Sequence, residues 1–449
     1  MEQNVFVLIP GITGSVLEKN GKTIWGPSAG FVLGMLTGAG IKDLVLGEDN
    51  PDDEQGDGTT ATRVFPDVHL FPGLWKIDGY TKVAERLQQN LELEKGANYF
   101  EFPYDWRRDN RLAARRLQRA SATWLARRRE KFPGAKLVLL AHSMGGLVAR
   151  YFLEVLDGWR DTVALITFGT PYRGSLDALD SLANGVHKLL KAVDLTAAVR
   201  SFTSTYQLLP IYQCYDAGTG ALVHLKEVDQ IPGLVHDRVV AADGFHREIE
   251  NAVNGHRHDA AYTGDRYAIH PCIGLEQPTA QTARVSGSGV ELISSRGGKD
   301  ESGDGTVPRV SASPIEEGED HAIYAATRHA SLQNADAVLT HVRGVLTQVG
   351  DLDRLRARPP VAVSLDLEDV FLAGEPISIA AASKQAGEDL KLTVENAETN
   401  NRVATAELPR SDGWRRAELR PLPPGIYRAV VSGAPSRVLP VSDVFVVAQ

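Results

Sequence analysis

The stretch that decides the fold is Leu137-Val-Leu-Leu-Ala-His-Ser-Met-Gly-Gly-Leu-Val-Ala-Arg-Tyr-Phe-Leu-Glu154. Its first residues form an apolar run typical of a buried strand, and a helical segment begins at Met144. Ser143 lies between the two on a turn with no spare residue. Such a turn strains the serine backbone, and large side chains two positions before or after it would clash with the neighbouring strand and helix. The residues at those positions, Ala141 and Gly145, are small. The stretch predicts that Ser143 is a nucleophile; a serine that merely caps the helix is the alternative.

The segments around this stretch alternate between strand-like and helix-like composition up to about residue 350. The clearest strands are Val5–Ile9, Lys136–Ala141, Val163–Phe168 and Tyr267–Gly274, and the clearest helix is Arg111–Phe132. This order indicates parallel strands joined by crossover helices. Together with the strained turn at Ser143, this order predicts the α/β class and an α/β-hydrolase fold over residues 1–350. Cap or lid insertions are expected at about residues 25–41 and 175–265.

One face of the predicted helix 111–132 is rich in arginine. It carries Arg111, Arg115, Arg116, Arg119, Arg127, Arg128 and Arg129. A solvated helix face is the simpler interpretation, and contact with anionic lipid or an acidic partner is the alternative.

The last part of the chain has a different texture. After a linker at residues 351–360, short β-branched runs separated by turn residues extend over residues 361–449. This spacing predicts a small all-β immunoglobulin-like sandwich. Because the segment contains no histidine and no cysteine, it offers little catalytic chemistry, and we interpret it as an accessory domain whose partner is unknown.

Composition excludes several classes of protein. The net charge of −9 provides no positive field for nucleic acid. Two cysteines, Cys214 and Cys272, exclude a disulfide scaffold and are expected to be core thiols. The N-terminus has no signal-peptide pattern, and no apolar run reaches the ~20 residues that span a bilayer. We therefore expect a cytoplasmic protein, unless export is non-classical, with no cofactor and no metal.

A serine nucleophile needs a base and a carboxylate, which follow it in the order acid, then histidine, in this fold. Asp304 lies in the glycine-flanked loop Ser302-Gly-Asp-Gly-Thr-Val-Pro308 and is the predicted acid, with a turn-forming aspartate as the alternative interpretation. Asp243 and Asp265 are weaker candidates. His329 lies in a predicted loop after a strand and is the predicted base.

Other histidines are less suitable as the base. His321 opens a predicted strand, and His341 lies within a predicted helix over residues 334–348. His142 is adjacent to the serine, but on a sharp turn its side chain points elsewhere, so we interpret it as a packing residue.

The oxyanion hole requires two backbone N–H groups. Met144, directly after the nucleophile, supplies one of them. The loop Pro10-Gly-Ile-Thr-Gly14 follows the first strand and is expected to supply the other through Ile12. A plain glycine turn is the alternative interpretation of this loop.

With these residues placed, the chain resembles the lecithin:cholesterol acyltransferase family. The shared motifs follow in order: Ile9-Pro-Gly-Ile-Thr-Gly-Ser15, Pro103-Tyr-Asp-Trp-Arg107, Ala141-His-Ser-Met-Gly-Gly146, Phe168-Gly-Thr-Pro171, Tyr206-Gln-Leu-Leu-Pro210, Gly303-Asp-Gly-Thr-Val-Pro308 and His329. The resemblance implies the triad Ser143, Asp304 and His329, with oxyanion donors at Ile12 and Met144. The chain departs from the family in lacking the disulfide-closed lid of secreted animal members and in carrying the sandwich.

The resemblance also implies a function, namely hydrolysis or acyl transfer on lipid esters through an acyl-enzyme. Apolar residues in the segments Trp25–Ile41 and Ser175–Pro210 suit a cap over an acyl chain, although apolar stripes are also typical of core. The expected partner is a lipid or other acyl-ester substrate, and transient contact with a membrane surface is also expected. The alternatives are an esterase or thioesterase for small soluble substrates and a non-catalytic binding module.

Overall fold

A computed structural model of the chain describes residues 3–26, 40–66, 78–188, 193–317, 322–347, 363–383, 389–409, 413–433, 438 and 440–448. Most of the predicted cap segment 25–41, the linker 351–360 and His321 lie outside the described residues. No helix in the described ranges is both long and apolar enough to cross a membrane.

A parallel six-stranded sheet forms the centre of the first domain. Its strands are β1 (Val5–Ile9), β2 (Tyr99–Glu101), β3 (Leu137–His142), β4 (Thr162–Phe168), β5 (Ala268–Gly274) and β6 (Ile323–Ala325). They lie side by side in the order β6-β5-β4-β3-β1-β2, and each pair is parallel. Every residue of β1 and β3 is buried, as expected for strands covered on both faces. The predicted α/β-hydrolase fold is confirmed.

Helices cover this sheet and the region around the site. Their bounds are α1 (Ile41–Leu44), α2 (Thr81–Leu91), α3 (Asn110–Arg129), α4 (Gly145–Glu154), α5 (Leu176–Ala183), α6 (Thr196–Ser201), α7 (Thr203–Gln207), α8 (His236–His256), α9 (Ala260–Asp265) and α10 (Asp336–Thr347). Helix α4 directly follows β3, and all of its residues are buried. The long helix α8 lies in the predicted cap range 175–265, where the sequence analysis placed no individual helix.

The arginine face of α3 is partly used within the protein. Arg115 and Arg116 donate to the backbone carbonyls of Pro51 and Glu54, and Arg119 pairs with the Glu54 carboxylate at 2.7 Å. This side of the helix therefore holds the loop around residues 49–54 rather than forming only a solvated face.

The first domain also contains smaller sheets. One joins Ser15–Lys19, Lys22–Trp25 and Thr59–Val64, another joins Tyr215–Asp216, Leu222–Val223, Thr282–Ser286 and Gly289–Ile293, and a two-stranded ribbon joins His187–Lys188 and Val193–Asp194.

The C-terminal region forms two sheets around one apolar core. Its strands are β7 (Val363–Leu367), β8 (Val370–Leu372), β9 (Ile377–Ser383), β10 (Leu390–Asn396), β11 (Arg402–Leu408), β12 (Arg415–Leu419), β13 (Gly425–Ser432) and β14 (Val441–Ala448). The sheet orders are β7-β9-β12 and β8-β14-β13-β10-β11. All pairs are antiparallel except β8 with β14. The predicted all-β sandwich is confirmed, although the short β8 and the polar β12 were not predicted.

Candidate active site

Ser143 occupies a strained elbow between β3 and α4. Its φ of 51° lies in the left-handed region, which costs a non-glycine residue about 1–3 kcal/mol. The surrounding chain holds this conformation: the Ser143 N–H donates to the Phe168 carbonyl at 2.9 Å, and the Ser143 carbonyl accepts from Thr170 Oγ1 at 3.0 Å. A Cβ at position 145 would lie 2.4 Å from the Pro10 carbonyl oxygen, so glycine is required there by close approach.

The predicted base lies in contact with the serine. His329 follows β6 on a short 3-10 helix, and its Nε2 is 2.9 Å from Ser143 Oγ. Its Nδ1 is 2.7 Å from Asp304 Oδ2. The main chain reinforces the pair, because the His329 N–H donates to the Asp304 carbonyl at 2.8 Å. All three side chains are buried, so the structure brings the three predicted residues together as a connected chain.

Asp304 fulfils both interpretations suggested by its loop. Its Oδ1 accepts the backbone N–H groups of Thr306 and Val307 at 2.9 and 2.6 Å, as in an Asx-type turn. Its Oδ2 faces His329. Gly169, with φ of 58°, packs against this contact, and a Cβ there would lie 2.8 Å from both the carboxylate and the imidazole. The turn thus fixes one oxygen and aims the other.

The remaining acid and base candidates are located elsewhere or are not described. Asp243 lies on α8 and pairs with Lys226 and Arg247. Asp265 is the last residue of α9, and His341 lies within α10. Neither Asp243 nor His341 is joined to Ser143 by a hydrogen bond in the described ranges.

The environment of His329 favours its protonated form. Burial lowers the pKa of the imidazole, but the Asp304 carboxylate, its hydrogen bond and the nearby Asp177 outweigh that effect and raise the pKa above its ordinary value. Asp177, on α5, is itself affected: burial and the neighbouring Asp180 raise the pKa of its carboxyl to about 7. The site therefore stabilises the imidazolium that a general base becomes.

The loop at residues 10–14 lies against the nucleophile. A Cβ on Gly11 would be 2.9 Å from Ser143 Cβ, and Thr13 has a φ of 62°. Neither Ile12 nor Met144 donates its backbone N–H to another residue in the described ranges. Both N–H groups are therefore available to a developing oxyanion.

The segment Pro103-Tyr-Asp-Trp-Arg107 holds this loop through hydrogen bonds. Tyr104 donates its hydroxyl to the Pro10 carbonyl at 3.0 Å, and Trp106 donates its indole N–H to the Ser15 carbonyl at 3.1 Å. Arg107 is fully buried and pairs with Asp105 at 2.7 Å. These contacts tie the segment 103–107 to the backbone on both sides of the 11–14 turn.

Sequence reasoning missed a hydrogen-bonded chain that joins this loop to the base. The Gly11 N–H donates to the Tyr80 hydroxyl at 2.8 Å, and that hydroxyl lies 2.9 Å from His142 Nδ1. His142 Nε2 lies 3.2 Å from the His329 carbonyl. The His329 carbonyl can only accept a hydrogen bond, so His142 Nε2 carries the ring proton and donates it there. The unprotonated Nδ1 then accepts from the Tyr80 hydroxyl, which itself accepts the hydrogen bond of the Gly11 N–H.

This arrangement requires a neutral His142. Burial and the nearby His329 lower the pKa of His142 to about 3, so the ring stays uncharged at ordinary pH. His142, predicted to be a packing residue, also bridges the Tyr80 hydroxyl and the His329 carbonyl. No signal in the sequence connected it to Tyr80, 62 positions away.

No group of three or more histidine, cysteine or acidic side chains in the described ranges is arranged to hold a metal ion. Cys214 and Cys272 are buried free thiols, and burial raises the pKa of each.

Comparison with known proteins points to one family. The family model for lecithin:cholesterol acyltransferase matches residues 68–256. A lysosomal phospholipase A and acyltransferase of Bos taurus is 31% identical over 167 residues, which cover 34% of this chain and 38% of the bovine protein. An uncharacterized protein of Saccharomyces cerevisiae is 28% identical over 151 residues, covering 33% of this chain and 20% of the yeast protein. The chain thus matches well under half the length of either relative.

The solved structures that align with the chain share little sequence with it. A chain of the Tle4–Tli4 complex aligns with a TM-score of 0.49 and 15% identity, covering 78% of this chain and 99% of its own length. The propeptide form of the Bacillus licheniformis lipase BlEst2 aligns with a TM-score of 0.38 and 10% identity, covering 99% of this chain and 93% of its own.

Proposed function

We propose that this chain is a serine-dependent hydrolase or acyltransferase of lipid esters that works through an acyl-enzyme on Ser143. The proposal is supported by the chain's similarity to the lecithin:cholesterol acyltransferase family over residues 68–256 and to the bovine phospholipase A and acyltransferase. The observation that carries the proposal is the buried chain from Ser143 Oγ to His329 Nε2 at 2.9 Å and from His329 Nδ1 to Asp304 at 2.7 Å. A serine hydroxyl is a weak nucleophile, and this arrangement is the one that activates it.

In the proposed reaction, His329 removes the hydroxyl proton as Ser143 Oγ attacks the ester carbonyl. The oxygen of that carbonyl becomes negative and accepts hydrogen bonds from the backbone N–H groups of Ile12 and Met144. His329, held in the required tautomer by Asp304, then returns the proton to the leaving alcohol. The products of this half are an acyl-serine and a free alcohol.

The second half reaction decides between hydrolysis and transfer. His329 removes a proton from water or from an acceptor alcohol, whose oxygen attacks the acyl-serine, and the serine leaves with that proton. Water yields a carboxylic acid, and an alcohol yields a new ester. Every protein group is the same in both cases, so the acceptor is set by what else the site admits.

The name of the bovine relative, a phospholipase A and acyltransferase, supports a lipid as the acyl donor. Profiling p-nitrophenyl esters of increasing chain length, with and without detergent micelles, tests this part. We expect a preference for long acyl chains and activation by micelles. A preference for short chains with indifference to micelles would instead indicate an esterase for small soluble substrates.

Labelling with a fluorophosphonate probe tests the nucleophile directly. We expect the native protein to label and Ser143→Ala to remain unlabelled, while Ser286→Ala, which changes an exposed serine on a peripheral strand, labels as the native protein does. Equal labelling of Ser143→Ala would refute the assignment. Adding a long-chain alcohol to the turnover assay and separating acid from ester products then distinguishes hydrolysis from transfer.

A further inference from the structure

The C-terminal sandwich contacts the first domain beside the acid and the base. One contact is made by Arg328, the residue directly before His329. Its Nε donates to the Leu365 carbonyl on β7 at 3.0 Å, and its Nη1 pairs with Asp443 on β14 at 3.3 Å. The Asp443 side chain is completely buried. A buried carboxylate needs a partner, so this pair ties the base segment to both sheets of the sandwich.

A second contact is made by Gln277, which follows β5 and is 2% exposed. Its side chain donates to the Val363 carbonyl and accepts from the Leu365 N–H, both at 3.1 Å, so it completes the hydrogen bonds of β7. Its own backbone N–H donates to the Gly303 carbonyl at 3.0 Å. The same residue therefore connects the sandwich with the residue before Asp304.

Thr279 extends this connection to the other side of the acid. Its hydroxyl donates to the Gln277 carbonyl at 2.8 Å and accepts the Gly305 N–H at 2.9 Å. The segment 276–279 thus holds the chain immediately before and after Asp304, while Ser364 of β7 donates its hydroxyl to the Glu276 carbonyl.

A third contact acts on the 3-10 helix that begins with His329. Arg428 on β13 pairs with the buried Asp78. The Asp78 backbone N–H donates to the Ala330 carbonyl at 2.9 Å, and its carbonyl accepts from the Asn334 side chain at 2.6 Å. Ala330 and Asn334 belong to the 3-10 helix that begins with His329.

We infer that the sandwich is a structural part of the active site: it positions Asp304 and His329 through Arg328, Gln277 and Arg428, which act as positioning residues, and is not a separable accessory module. The inference rests on the proposed function, because positioning matters only if these groups react. Asp304 lies in a loop and His329 begins a 3-10 helix 25 positions later, and local sequence alone does not bring their side chains to 2.7 Å. Small misplacements of reacting groups are costly. The sandwich fixes both loops from one side.

Variants in the full chain test this. We expect Arg328→Ala to lower kcat and the rate of fluorophosphonate labelling by about 10- to 100-fold, with little change in KM for a soluble ester. Arg328→Lys should recover part of the loss, since it retains the charge facing Asp443. Arg416→Ala removes an exposed arginine of the same sandwich and should behave as the native protein. A merely structural role would lower the folded fraction without changing kcat per labelled site.

Two further variants keep the test decisive if Arg328→Ala fails to fold. Asp443→Asn preserves shape and should slow labelling in protein whose melting curve is intact. Gln277→Ala should do the same through the acid loop. If these folded variants label at the native rate, the inference is wrong while the proposed function stands. If the native protein itself does not label at Ser143, the proposed function is what has failed.

Discussion

Replacing Tyr80 by phenylalanine removes one hydroxyl and breaks two of the hydrogen bonds that connect the 10–14 loop with His329. The Gly11 N–H loses its acceptor at 2.8 Å, and His142 Nδ1 loses its donor at 2.9 Å. Both groups are buried, and each buried polar group left unpaired costs about 1–3 kcal/mol. We therefore expect Tyr80→Phe to lower the free energy of unfolding by about 2–6 kcal/mol.

The same substitution should also slow turnover, because Gly11 adjoins the proposed donor Ile12 and His142 holds the carbonyl of His329. A fall in kcat of about tenfold corresponds to about 1.4 kcal/mol of lost transition-state stabilisation. Denaturant unfolding measures the stability, and hydrolysis of a soluble ester by the folded variant measures kcat.

Tyr99→Phe is the matched control for this experiment. Tyr99 is also buried, but its hydroxyl has no hydrogen-bond partner in the described ranges. Removing that hydroxyl should leave stability and kcat unchanged or raise stability slightly. If Tyr80→Phe and Tyr99→Phe behaved alike, within about 0.5 kcal/mol, the reasoning about the chain would be refuted.

Two other predictions concern pH and packing. The base acts only when neutral, and the carboxylates around His329 raise its pKa, so kcat/KM should fall as pH drops through a midpoint above the ordinary value of about 6.5. Asp177→Asn should move that midpoint to lower pH in a pH–rate profile; an unmoved or higher midpoint would contradict the assigned cause. Gly145→Ala should destabilise the protein by about 1–3 kcal/mol, because the new Cβ would lie 2.4 Å from the Pro10 carbonyl. Gly244→Ala, in α8 with open space around it, should instead stabilise the protein by about 0.5–1 kcal/mol. If the melting temperatures of both variants shifted in the same direction, the close approach at Gly145 would not be what requires glycine there.

Much of the fold was predictable because its signals are local. The apolar run before Ser143 and the small residues at 141 and 145 are enough to indicate a strand, a strained turn and a helix, since steric limits act over a few residues. The short β-branched runs separated by turn residues after residue 360 likewise predicted a sandwich. Strand β12 escaped prediction because its sequence, Arg415-Arg-Ala-Glu-Leu419, buries alternate residues that include an arginine.

The partners of Ser143 were only partly determined by the sequence. Chain order and loop composition favoured Asp304 and His329 over Asp243 and His341, but only the folded chain shows that Asp304 and His329 contact each other and that His329 contacts Ser143. Tyr80 gave no signal at all. Its contact with His142 joins residues 62 positions apart, whose approach depends on how the elements pack.

The sequence by itself determined the elbow, the class of fold and the presence of a second, all-β domain, because each is written in contiguous residues whose sterics and periodicity are local. Only the tertiary structure decided that the Asp304 carboxylate reaches the His329 imidazole, that this imidazole reaches Ser143, and that the sandwich contacts the segments carrying the two residues. Those contacts link residues such as Arg428 and Asp78, 350 positions apart, and a hydrogen bond over such a separation exists only once the intervening chain has folded.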